Sequence, residues 1–94
     1  MKVSYFLEFP EYYLNFTKDD TLEFLPHKGM TFRFLEIDTE IIVKEVCYTF
    51  EDGLVHLFLE CKCPKKRSRE YIIKHLSGLG WELDEVWAKQ YRSE

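Results

Sequence analysis

Apolar and polar residues alternate along residues 2 to 9, with Val3, Tyr5, Leu7 and Phe9 in one phase and Ser4, Phe6 and Glu8 in the other. A period of two is that of an extended strand, whose side chains leave the sheet on alternate faces. Pro10 ends the pattern, because it has no amide hydrogen to give to a ladder. The aromatic stretch Tyr12 to Phe16 fits a second strand pairing back on the first, and fits a short helical turn as well. Lys18-Asp19-Asp20 reads as a polar turn and Leu22 to Leu25 as a short extended piece. Pro26-His27-Lys28-Gly29 has Pro and Gly placed for a type I or II turn.

Three runs rich in β-branched and aromatic residues follow, Met30 to Ile37, Ile41 to Phe50 and Leu54 to Cys63, separated by Asp38-Thr39-Glu40 and by Asp52-Gly53. They predict a three-stranded meander, since Asp-Gly between alternating apolar runs is the strongest short-range hairpin signal. A two-residue loop would pair Phe50 with Val55, Tyr48 with Leu57, Val46 with Leu59 and Lys44 with Cys61. Thr49, Cys47, His56, Phe58 and Glu60 then share the other face, with Glu60 opposite Glu45 as a like-charge pair. A three-residue loop before it would pair Phe32 with Val46, Phe34 with Lys44 and Met30 with Tyr48.

Beyond these strands the period changes. Ser68 is placed as an N-cap, Ile72, Ile73, Leu76 and Leu79 follow at helical spacing, and Gly80 suits a left-handed cap, which predicts a helix over 69–79. Trp81, Leu83, Trp87 and Tyr91 fit a returning strand, which is preferred; Leu83, Val86, Trp87 and Tyr91 fit a second helix. The fold class is therefore α+β: a single domain over 1–94, with a curved antiparallel sheet, either open or barrel-like, and one C-terminal helix packed on it.

The net charge of −4 argues against general nucleic-acid binding, but it hides a segregation. Lys62, Lys65, Lys66, Arg67 and Arg69 form one basic loop on an acidic body. Three cysteines close no disulfide framework, and the acid in Met-Lys-Val-Ser-Tyr-Phe-Leu-Glu interrupts what would be a signal peptide's apolar run. With no apolar stretch near the roughly 20 residues that cross a bilayer, the expectation is a cytoplasmic protein without a membrane partner.

Candidate chemistry is sparse. Cys61-Lys62-Cys63 with Cys47 and His56 suggests zinc, but Cys47 and His56 fall on the face opposite Cys61 and Cys63, so four ligands do not converge. No metal and no cofactor is expected. Cys63, among cations, is the thiol expected to react fastest, with Cys47 and Cys61 unable to pair; His75 is its nearest candidate base and reads better as a face residue. No nucleophile motif, phosphate loop or catalytic carboxylate pair is present, and no catalytic residue is assigned.

Lys65, Lys66, Arg67 and Arg69 are the candidate anion or nucleic-acid contacts. Aromatic residues make up 17% of the chain, and one helix-covered sheet face does not use them all. Tyr12, Tyr13, Phe16, Phe58, Trp81, Trp87 and Tyr91 are left to cover the second face, close a barrel or bind something; Phe58, Trp81, Trp87 and Tyr91 are the candidate protein contacts. The preferred function is a non-enzymatic protein-interaction module or regulator, with another protein or its own copy as partner. Nucleic-acid binding through residues 62–69 is the alternative. A third reading, an inhibitor carried by a mobile element that binds a basic target through its acidic body, fits the charge.

Overall fold

The alternating N-terminal segment forms strand β1 (Lys2–Phe9). Both readings of the aromatic stretch after Pro10 hold in succession: one 3-10 turn, Pro10–Tyr12, ends at Tyr13 with φ 53, and strand β2 (Leu14–Thr21) then pairs antiparallel with β1. These belong to a computed structural model that describes residues 1–34, 39–62 and 67–84. The expected meander follows as β3 (Thr31–Phe34), β4 (Thr39–Thr49) and β5 (Leu54–Lys62). Helix α1 (Arg69–Gly78) and the short strand β6 (Glu82–Leu83) complete the described elements.

The strands make one six-stranded sheet in the order β3-β4-β5-β1-β2-β6. The sheet is open, so the barrel-like alternative is excluded. Every neighbouring pair is antiparallel except β1 and β5, which run parallel. Val3, Leu7, Phe9, Leu14, Phe16, Val55, Leu57 and Leu59 point to one face, where Ile72 and Leu76 of α1 and Trp81 bury them. Because β6 opposes β2, β2 opposes β1 and β1 parallels β5, the helix carries the chain across β1 and β2 to the far edge.

Capping fixes the ends of α1. Ser68 Oγ accepts from the Tyr71 amide at 3.0 Å. At the other end the Trp81 amide donates to the Leu76 carbonyl and the Gly80 amide to Ser77, with Gly80 at φ 90, the Schellman arrangement. That motif turns Trp81 onto Leu76, which is why Trp81 is only 8% exposed.

Several expected details change. Phe50 to Gly53 form a four-residue turn, closed by the Gly53 amide on the Thr49 carbonyl and by Asp52 Oδ1 accepting from the Leu54 amide, both at 3.0 Å. Tyr48 therefore faces Val55 and Val46 faces Leu57, two residues from the two-residue-loop register. A shift of two keeps every side chain on its face, but it throws Phe50 into the turn, 87% exposed. A β-bulge between Val43 and Glu45 then makes Lys44 an extra residue, so Val43 faces Leu59 and Ile41 faces Cys61. Lys44 does not oppose Cys61, and the Glu45–Glu60 repulsion is absent: Glu45 faces Phe58 and Glu60 faces Ile42.

In the first hairpin Phe32 pairs with Ile41 and Phe34 with Thr39, not with Val46 and Lys44. The loop that sets this register lies outside the described residues. The turn before β3 closes one residue later than expected, with the Met30 amide donating to His27 and Gly29 at φ 90. Lys18-Asp19-Asp20 is strand, not turn, and Leu22 to Leu25 joins no strand. No helix among the described residues is long and apolar enough to cross a membrane.

Candidate functional site

Of the residues singled out by sequence, Lys65, Lys66, Cys63, Trp87 and Tyr91 lie outside the described residues. Arg67 and Arg69 are held by the protein itself. The Arg67 amide donates to Tyr12 Oη at 3.0 Å, its guanidinium lies 5.0 Å from the centre of the Tyr71 ring, and Arg69 Nε donates to the Tyr12 carbonyl at 3.2 Å. The two hydrogen bonds fasten Arg67 and Arg69 to the turn after β1, and the ring contact holds Arg67 against α1. Among the surplus aromatics, Phe16 and Trp81 are core residues, so Trp81 is not a surface anchor; Tyr13 is exposed, and Phe58 is 39% exposed.

Phe58 belongs to the sheet face opposite α1, and pairing lays out its neighbours in rows. The central row is Thr17, Phe6, Phe58 and Glu45, running from β2 through β1 and β5 to β4. On one side lies the row Asp19, Ser4, His56 and Cys47, and on the other Asn15, Glu8, Glu60 and Ile42. Phe6 and Phe58 stack with ring centres 5.2 Å apart at 16°, and His56 tilts against Phe6 at 5.5 Å. No described element covers these rings.

Polar groups surround them. Ser4 Oγ donates to Asp19 Oδ1 at 2.7 Å. The bulge sends Lys44 to this face, where its Nζ lies 3.5 Å from Glu60 and 3.9 Å from Glu8. Phe6, Glu8, Asn15, Lys44, Glu45 and Phe58 line an open depression of about 330 Å³. Such a surface offers two π faces, apolar area and carboxylate acceptors to a ligand.

Cys47 is exposed on this face and pairs across the strands with His56, while Cys61 is buried on the other, as the face assignment expected. Cys47 is thus open to a reagent, while Cys63, expected to react fastest, lies outside the described residues. Among the described residues no three His, Cys, Asp or Glu side chains gather to hold a metal ion. On the helix side, Tyr5 Oη donates to Asp20 at 3.2 Å; burial, then the Asp20 charge and this bond, push its pKa up to about 12.

Sequence reasoning singled out Phe58 but not Phe6. The available signal was a phenylalanine in the polar phase of each strand, Phe6 between Ser4 and Glu8 and Phe58 between His56 and Glu60. Only the parallel pairing of β1 with β5 makes them one feature. No protein-family model, curated protein or solved structure matches the chain.

Proposed function

We propose that this protein is a non-enzymatic interaction module of the cytoplasm that binds another protein through the open sheet face centred on Phe6 and Phe58. The observation that carries the reading is the stacked Phe6–Phe58 pair on the sheet's two central strands, on a face that no described element covers. Aromatic residues partly open to solvent within a polar rim are the composition of a protein-binding patch. The thiol of Cys47, exposed and in no disulfide, fits a reducing compartment.

Nucleic-acid binding through the basic loop has less support, because Arg67 and Arg69 are engaged with Tyr12 and Tyr71. Affinity capture from cell extract separates the two. A protein retained by the unaltered chain and by Lys65→Glu/Lys66→Glu, but lost with Phe58→Ser, supports face binding. Retention of nucleic acid that is lost with the lysine variant and on adding salt overturns it.

A further inference from the structure

We propose that the partner presents a basic segment to the open face and seats one arginine or lysine side chain over the Phe6–Phe58 rings, with Glu45 as its nearest counter-ion. This rests on the protein-binding reading and adds the chemistry of the ligand. The three rows around the rings carry four carboxylates, Glu8, Asp19, Glu45 and Glu60, against the single ammonium of Lys44. Lys44 already bridges Glu8 and Glu60, and Asp19 accepts from Ser4. Glu45 is exposed, has no ion pair among the described residues, and stands directly across from Phe58.

A cation within about 6 Å of a ring centre is attracted by the ring's quadrupole, and a carboxylate beside the ring adds Coulomb attraction from the same position. The depression of about 330 Å³ between Phe58, Glu45 and Phe6 has room for one long side chain. The charge also selects against other occupants. A phosphate backbone would meet the carboxylates, and a second copy of this face would set the same four carboxylates against themselves.

Titration at low salt with an oligoarginine peptide, followed by NMR, tests this; an oligocitrulline peptide of the same length removes only the charge. The expected result is shifts at Phe6, Glu45 and Phe58 with oligoarginine and none with oligocitrulline. Affinity falls roughly two- to five-fold for Glu45→Gln and for Phe58→Leu. It is unchanged for Glu23→Gln, an exposed acid in the loop after β2. Equal losses for Glu23→Gln and Glu45→Gln, or shifts away from the rings, overturn the cation site. Equal binding of both peptides at the rings overturns it too, yet leaves the protein-binding reading standing. A captured partner indifferent to Phe58→Ser overturns that reading instead.

Discussion

Lys18 holds two neighbours that its place in the sequence does not reveal: the Leu79 carbonyl at the end of α1, 3.0 Å from its Nζ, and the Trp81 ring, at 5.7 Å. Asp19 and Asp20 are likewise used, one on each face, by Ser4 and Tyr5. The triple looked like a turn because each charge is matched by a residue distant in sequence, and local composition carries no trace of such partners. Tyr5 gives this a pH signature. Its phenol binds the proton more tightly folded, at about 12, than unfolded, near 10. Its contribution is therefore complete below pH 10 and is lost as pH rises through about 12. Urea unfolding at stepped pH should show Tyr5→Phe losing less stability than the unaltered chain between those values. At neutral pH, Cys47 should take an alkylating reagent in the native state, whereas Cys61, 3% exposed, should react only on unfolding; mass spectrometry of the native and denatured protein reads both.

The elements themselves were largely legible, and their registers were not. The helix could be bounded because its caps are local: Ser68 precedes it and Gly80 follows it. The meander could be seen because its strands are apolar and β-branched. Register depends on turn length and on the bulge at Lys44, both settled by which contacts the whole sheet rewards. A trace was present, since the apolar phase of β4 runs Ile41, Val43 and then Val46, Tyr48, a break in the alternation at Lys44. Deleting Lys44 should therefore restore an unbroken alternation in the same register, Val43 on Leu59 and Glu45 on Phe58, and cost little more than the loss of its ion pairs. Lys44→Ala, which removes only partly exposed ion pairs, should cost at most about 1 kcal/mol. Equilibrium denaturation compares the two variants: similar costs are expected, and a deletion costing about 3 kcal/mol or more, as when Ile41 and Val43 of a regular strand are turned out of the core, would contradict the bulge.

At the scale of the molecule, α1 and the core lie on one side of an open sheet, and no described element covers the other side. The α+β class followed from the order of periods along the chain, but the one-sided aromatic face did not. It depends on β1 joining β5 in parallel, a pairing of residues some 50 positions apart that no hairpin signal announces. The surplus of aromatics was visible, and its division between core and surface was settled by that pairing. The central claim is that a partner docks on the Phe6–Phe58 face. Site-specific photo-crosslinking in cells tests it most directly, with the photoreactive residue placed at Cys47, exposed on that face, or at Lys74, exposed on α1. An open-face site predicts a discrete adduct with another protein from position 47 and none from position 74. An adduct from position 74 alone, or the same adducts from both, would contradict it.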